Sequence, residues 1–465
     1  MSHLSGRFVL VLGLGESGLA MARWCARQGA RLRIADTRVD PPGLAALREE
    51  IPGTTLVSGP FSEALLVDVT LVALSPGIDP AEPVVVEATR RGIPVAGEMT
   101  LFADALAALG VRERSTVIAI TGTNGKTTTT ALTAAMLRGA GCDAVAAGNI
   151  SPSALAVLMA RMDAGAALPG CWVLELSSFQ LETMRGLHPQ AATVLNVTDD
   201  HLDRHGSIEH YTQVKARIFE GDGVQVLNRH DPRVMAMAEA GRRVITIGPD
   251  RPASDSDYGV VDDGDGQWLV RGRERLIRVD QLKLAGLHNA VNALAALALG
   301  EATGAERAGM LRALRDFGGL PDRMALVARR RDGVLFYNDS KGTNVGATVA
   351  ALQGLGRPVV LIAGGDGKGQ DFSPLREVVA RHARAVVLIG RDAPLIEAVL
   401  GGLDVILVHA ADMHEAVVRA NALANPADAV LLSPACASFD MFRNYPHRAQ
   451  VFIAAVQRLP EVVAA

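Results

Sequence analysis

Val117-Ile118-Ala119-Ile120-Thr121-Gly122-Thr123-Asn124-Gly125-Lys126-Thr127-Thr128 carries an apolar strand into a glycine-rich turn, then a lysine and two hydroxyls that open a helix. That order builds a phosphate cradle. Backbone N–H groups of the turn converge on an anion, Lys126 adds a mobile positive charge near the β- and γ-phosphates, and Thr127 or Thr128 can set a hydroxyl on Mg²⁺. Gly122, Thr123, Asn124, Gly125, Lys126, Thr127 and Thr128 are therefore the expected ATP contacts. The strict GxxxxGK[ST] pattern puts its first glycine where Ile120 stands, so the turn is a variant with Gly122 inside it.

Outward from this stretch, short β-branched or Leu-rich runs alternate with Ala-rich helical ones, with strands expected at 8–12, 31–35, 71–74, 116–120, 172–176 and 192–196. Alternation of this kind predicts parallel α/β sheets. A chain of 465 residues exceeds one ordinary core and predicts about three domains. The alternation restarts after the charged Arg112-Glu113-Arg114 and again after the Gly and Pro cluster at 316–321. The expected units are 1–112, Rossmann-like; 113–318, a phosphate-loop domain with a mostly parallel sheet; and 319–465, Rossmann-like, with strands at 334–337, 359–363, 385–389, 404–408 and 429–432. Residues 163–170 read as a surface loop, and 252–267 as a polar excursion with little helical or strand pattern.

Composition narrows the partners. Lys and Arg number 46 against 50 Asp and Glu, a net charge of −4, with no long run of one sign; this argues against nucleic acid or an anionic membrane and for small molecules. Cys25, Cys142, Cys171 and Cys436 lie far apart without a CxxC pair, which fits reduced thiols in a cytoplasm better than disulfides or structural zinc. The apolar run after Arg7 is broken at Glu16 and Ser17 and passes into an amphipathic pattern, which favours a strand and helix over a signal peptide. No segment reaches the roughly 20 apolar residues of a membrane span, and nothing suggests more than a monomer.

Gly13-Leu14-Gly15-Glu16-Ser17-Gly18 is a complete GxGxxG between an expected strand and helix, with Asp36 at the end of the next strand. The spacing fits a dinucleotide, yet such a turn can hold any ligand with a diphosphate and a ribose-like hydroxyl, including a nucleotide sugar. Glu175 ends the next expected strand of the central unit, where a Mg²⁺ ligand belongs. His201 and His205 have HxxxH spacing, but no Glu follows the first His and no Cys is near, which disfavours zinc. Lys215 by itself reads as an ordinary helix-surface lysine.

TGTNGKTT (121–128), Gly148-Asn149-Ile150, ELSSFQLE (175–182), NVTDDHLDR (196–204), His288-Asn289, NDSKGTN (338–344), GGDGK (364–368) and LSPACAS (432–438) together resemble the Mur ligases of peptidoglycan synthesis. The likeness spans nearly the whole chain. The phosphate loop is also shared with folylpolyglutamate synthases, which would not need the N-terminal GxGxxG unit. ELSSFQLE and SPACASFD are the more discriminating stretches.

The resemblance implies ATP-dependent ligation of D-glutamate to UDP-N-acetylmuramoyl-L-alanine through an acyl phosphate. It implies two Mg²⁺ sites, with Thr127, Thr128 and Glu175 at the first and His201 and a CO₂-carbamylated Lys215 at the second, and catalytic roles for Lys126, His201 and Lys215. Asn289 and Asn292 would meet adenine, and Arg323 and Asp339 would reach the nucleotide from the third unit by domain closure. Ser17 and Gly18 would face the diphosphate, Asp36, Thr37 and Arg38 the uridine, Ser75 and Gly77 the opposite strand end, and Asn149 the sugar-peptide. Lys341 would lie near a phosphate, while Thr343, Lys368, Ser438, Phe439 and Tyr445 would take D-glutamate. An NAD-dependent oxidoreductase or a nucleotide-sensing binding protein would explain Gly13 to Gly18 and Asp36 but leave Lys126, Glu175, His201 and Lys215 without work.

Overall fold

The strand and helix alternation is realised as sheets of five, nine and seven strands in a computed structural model that describes residues 4–284 and 286–464. In the first sheet Thr55–Ser58, Arg31–Asp36, Phe8–Leu12, Leu71–Leu74 and Val95–Ala96 lie side by side in that order, all parallel. The winding reverses between Phe8–Leu12 and Leu71–Leu74, so the loops that follow those strands diverge and open a crevice at 13–18 and 75–77.

The same logic positions the phosphate loop. Thr116–Thr121 sits between Cys171–Glu175 and Ala191–Val194, all parallel, with Ala144–Gly148 outside Cys171–Glu175. Val224–Asn228 and Val244–Ile247 extend the sheet. Tyr258–Asp262, Gln267–Arg271 and Glu274–Arg278 then close its edge as an antiparallel meander. The expectation of an unpatterned excursion at 252–267 is corrected here: Tyr258, Val260 and Val261 are buried on the sheet edge, and the Asp and Gly residues around them mask the short strand. The strand expected at 192–196 ends at Val194, because Asn196 turns away to serve the phosphate loop.

The helix Lys126–Gly139 opens with threonines at 127–130, poor helix formers in isolation. Tertiary burial overrides that preference. Thr128, Thr129, Thr130 and Thr133 are buried, Thr133 Oγ1 donates to Thr129 O at 2.7 Å, and the helix packs against Leu287–Ala302, an Ala- and Leu-rich helix apolar on most sides.

Ile406–His409, Ala383–Ile389, Val359–Gly364, Ala429–Leu432 and Leu335–Asn338 are the parallel strands of the third sheet, edged by the antiparallel Ala325–Arg330 and Val462–Ala464.

The two junctions between sheets differ in chemistry. A single apolar cluster runs from Val9 and Val11 through Trp24 and Phe102 to Trp172 and Leu174, so the first and second units share a core. Phe102 and Trp172 meet edge to face with ring centroids 4.8 Å apart. Phe102→Leu keeps most of the apolar volume but removes the ring contact, and is expected to cost about 1–2 kcal/mol in urea unfolding. The third unit instead meets the second through polar groups: Arg323 Nη2 donates to Thr127 Oγ1 at 2.6 Å, and Asn344 Nδ2 to Asn124 Oδ1 at 3.1 Å. A polar junction after a Gly and Pro linker can open; a shared core cannot do so cheaply. Among the described residues no helix is long and apolar enough to cross a membrane.

Candidate active site

Beyond Thr121 the chain turns through Gly122 (φ 151°) and Gly125 (φ 84°) into the helix at Lys126. A Cβ on Gly125 would lie 2.6 Å from Asn292 Oδ1, so glycine is required there by both backbone and space. Asn196 clamps the turn: its carbonyl accepts from Thr123 N at 2.9 Å, its Oδ1 accepts from Asn124 N at 2.8 Å, and its Nδ2 donates to Asn124 O at 3.2 Å. The amides of Lys126, Thr127 and Thr128 remain first-turn donors at a positive helix end, which is where an anion binds. Lys126 Nζ folds back on the turn and donates to Gly122 O at 2.8 Å and Thr123 O at 2.7 Å. Lost hydration pushes its pKa down, while Glu175 and Asp200 draw it up.

Glu175 ends its strand as expected. Its Oε1 accepts from Asn149 Nδ2 at 2.7 Å, whereas Oε2 is buried without a hydrogen-bond partner. An unpaired buried carboxylate oxygen is costly unless a cation meets it. Together with the Thr127 and Thr128 hydroxyls, it suits a hard, oxygen-seeking ion such as Mg²⁺. Among the described residues no cluster of three or more His, Cys, Asp or Glu could hold a metal, so such an ion would need phosphate oxygens to complete its shell.

Lys215 is fully buried in the helix Ile208–Ala216, the opposite of the surface position its spacing suggested. Its Nζ donates to Gly122 O at 3.0 Å and Thr121 Oγ1 at 3.4 Å, and lies 4.4 Å from the centre of the Tyr211 ring. Burial, then the charge of Lys126, push its pKa well below 10.5. His201 stands at φ 54° at the start of a short helix, 3.6 Å from Asp200 Oδ2. Lost hydration lowers its pKa, Asp200 opposes, and Lys368, Lys126 and Lys215 lower it further, so residues of the second and third units share one field. His205 sits in the same field: its Nε2 lies 3.0 Å from Ser178 Oγ, and burial, then the charge of His201, push its pKa to about 4.

The first crevice is a cavity of about 450 Å³ lined by Ser17, Gly18, Asp36, Thr37, Arg38, Ser75, Gly77 and Asn149 among others, which brings together all eight contacts expected for the UDP-substrate. Ser17 Oγ donates to the buried Glu98 at 3.1 Å, and Ser75 Oγ donates to Gly13 O at 2.8 Å. Both oxygens of Asp36 are engaged, Oδ2 by Leu14 N at 2.7 Å and Arg38 Nη2 at 2.8 Å, and Oδ1 by Arg38 N and Nε. Against the cost of burial these bonds hold its pKa at about 2. A carboxylate so committed braces the glycine turn and holds Arg38 at the crevice wall.

On the other side of the phosphate loop, Asn124, Gly125, Thr128, Asn289, Asn292, Arg323, Asp339 and Lys341 line one cavity. An adjoining, mainly apolar space of about 600 Å³ is walled by Leu195, Leu287, Val291 and Val349. His288 lines both, half-buried, with Nδ1 shielded from solvent and lacking a hydrogen-bond partner. Lys341 Nζ sits 3.9 Å from the centre of the Tyr445 ring.

Thr343 and Lys341 lie past Leu335–Asn338, Ser438 past Ala429–Leu432, and Lys368 past Val359–Gly364, all at the carboxyl ends of neighbouring parallel strands. Ser438 is buried, Lys368 (φ 51°) is exposed, and Phe439 is 74% exposed.

Asp339 is buried and accepts from Ser433 Oγ at 2.8 Å. Burial raises its pKa to about 7, against the pull of Ser433 and Arg323. The folded state therefore binds this proton more tightly than the unfolded chain at 3.8. Stability should fall as pH rises between those values, by up to about 4 kcal/mol above pH 7. Asp339→Asn is expected to melt above the parent at pH 8, with the gap closing toward pH 4.

A three-sheet α/β chain with a nucleotide-type crevice, a phosphate loop and a third unit that reaches that loop through Arg323 and Asn344 has the architecture of a nucleotide-dependent enzyme. The chain belongs to the Mur ligase family. Residues 7–97 match the "Mur ligase MurD-like, N-terminal domain", 120–300 the "Mur ligase middle domain", and 322–436 the "Mur ligase, glutamate ligase domain". It is 64% identical to UDP-N-acetylmuramoylalanine--D-glutamate ligase of Aromatoleum aromaticum, over 100% of both chains. It is 54% identical to the enzyme of the same name from Ralstonia nicotianae, over 98% of each. Its fold is similar to that of UDP-N-acetylmuramate-alanine ligase MurC from Thermotoga maritima, with TM-score 0.60, 21% identity, and coverage of 97% of this chain and 99% of that one.

Proposed function

We propose that this chain joins D-glutamate to UDP-N-acetylmuramoyl-L-alanine at the expense of ATP, a step of peptidoglycan precursor synthesis. The carrying observation is the bond from Asn149 Nδ2 to Glu175 Oε1. Asn149 lines the first crevice, and Glu175 lies beside the phosphate loop, so a substrate anchored by its UDP end in the crevice has its far end directed toward the γ-phosphate. The 64% identity to a D-glutamate ligase supports the choice of substrates.

A carboxylate is a poor electrophile and the amide is uphill in water. The alanyl carboxylate attacks the γ-phosphorus, ADP leaves, the glutamate amine attacks the acyl-phosphate carbonyl, and the tetrahedral intermediate expels phosphate. Two anions must meet in the first step, so cations are needed there. Lys126 leaves its own turn for the β- and γ-phosphates, and the first-turn amides hold them. Thr127, Thr128 and Glu175 would hold one Mg²⁺, and His201 with a carbamylated Lys215 a second, supplying charge neutralisation of the phosphates and the acyl phosphate. Asn289 and Asn292 face adenine. Arg323 exchanges Thr127 for phosphate as the third unit closes, with Asp339 and Lys341 beside it.

The UDP end is held by Ser17, Gly18, Asp36, Thr37, Arg38, Ser75 and Gly77, with Asp36 acting through Arg38. Thr343, Lys368, Ser438, Phe439 and Tyr445 take D-glutamate. The working units are 1–112 for the UDP-substrate, 113–318 for ATP and 319–465 for the amino acid, in a cytoplasmic monomer.

Phosphate release from ATP and Mg²⁺ should require both UDP-N-acetylmuramoyl-L-alanine and D-glutamate, and should fail with L-glutamate, L-lysine or meso-diaminopimelate. Release with one of the latter instead would move the amino-acid assignment.

A further inference from the structure

Arg448, in the helix Tyr445–Gln457, is fully buried, and its guanidinium is spent on neutral acceptors. Nε donates to Ser340 Oγ at 3.0 Å and Nη2 to Ser340 O at 2.8 Å, while Nη1 donates to Cys436 O at 3.1 Å and Ala437 O at 3.3 Å. Burial pushes its pKa down to about 10, so it stays charged at neutral pH. A buried cation satisfied by neutral groups is expensive, and an apolar side chain of similar length would fill the same space more cheaply. What the arginine supplies is reach, since its planar fork addresses two loops at once.

Those loops carry the polar groups assigned to D-glutamate. Ser340 precedes Lys341 and Thr343; Cys436 and Ala437 precede Ser438. The parallel strands beneath them stay paired as far as Asp339 N to Leu432 O at 2.8 Å, and beyond that point Arg448 spans the gap. Ser340 Oγ passes the link on, donating to Tyr445 O at 2.9 Å. The third loop joins the same frame: Asp366 and Ala437 exchange backbone hydrogen bonds at 3.0 and 2.8 Å, and Asp366 Oδ1 accepts from Lys368 N at 3.0 Å.

We propose that Arg448 is a positioning residue for the amino-acid substrate: its guanidinium fixes the Lys341 and Thr343 loop against the Ser438 loop, so that an amino acid with two carboxylates meets both loops in register. The role rests on the ligase assignment above. Arg448 touches no reacting atom, and neither composition nor spacing distinguishes it from a surface arginine.

The full chain is assayed with ATP, Mg²⁺ and UDP-N-acetylmuramoyl-L-alanine while D-glutamate is varied. Arg448→Lys keeps the charge but cannot bridge both loops, and is expected to raise KM for D-glutamate about tenfold or more while KM for ATP moves less than about twofold. Ser340→Ala removes the hydroxyl that receives Nε and passes the link to Tyr445 O, leaves the Nη1 and Nη2 bonds in place, and decides the matter should Arg448→Lys fail to fold; its expected effect is a rise in KM for D-glutamate of about threefold, again with KM for ATP unmoved. A uniform fall in kcat with all KM values unchanged, or equal rises in KM for ATP and D-glutamate, would overturn the positioning role. Parent protein that releases no phosphate with D-glutamate would overturn the ligase assignment and this role with it, an outcome visible before any variant is made.

Discussion

Lys126→Ala is expected to lose ATP-dependent phosphate release by about a thousandfold or more while melting within a few degrees of the parent. Lys126 is half-buried, and its ammonium is held by two carbonyls of its own turn, so its removal opens no large cavity and strands no charge partner at bonding distance. The loss falls on the transition state, where charge spreads over the γ-phosphoryl oxygens; about 4 kcal/mol of stabilisation there corresponds to the expected factor. Steady-state assay beside a melting curve separates the two effects. A variant that retained a tenth of the parent rate would remove Lys126 from the chemistry.

Lys215 should be as sensitive, for a different reason. Burial and the Lys126 charge favour its neutral amine, the form that adds CO₂, and an anionic carbamate would then offset the positive field around the phosphate loop. Lys215→Ala and Lys215→Arg are both expected to fall about a thousandfold, since a guanidinium keeps a cation where an anion is needed. Parent enzyme in buffer stripped of CO₂ should lose rate and regain it with bicarbonate, and carbon-labelled bicarbonate should give a carbamate signal absent from Lys215→Arg. An active Lys215→Arg, or a rate indifferent to CO₂, would contradict the carbamate.

Local pattern carried much of this into the sequence. The phosphate loop and the three parallel sheets were legible because strand, glycine turn and helix are contiguous, and because β-branched runs alternate with Ala-rich ones. Glu175 was legible from its place at a strand end. Asn196, His288 and Arg448 were not, because their partners lie in other segments: Asn196 is read as a strand residue until it is seen holding Asn124 across the sheet. Lys215 is the sharpest case, ordinary by spacing and buried beside the phosphate loop in three dimensions. The strand Tyr258–Asp262 was hidden for a simpler reason, since Asp and Gly around a short buried run erase its periodicity.

The most direct test of acyl-phosphate ligation is to label the alanyl carboxylate of UDP-N-acetylmuramoyl-L-alanine with heavy oxygen and follow the label after turnover with ATP and D-glutamate. One labelled oxygen per turnover should appear in inorganic phosphate. Amide formed with the label in neither phosphate nor any other product of ATP, or label recovered in AMP, would contradict activation by γ-phosphoryl transfer.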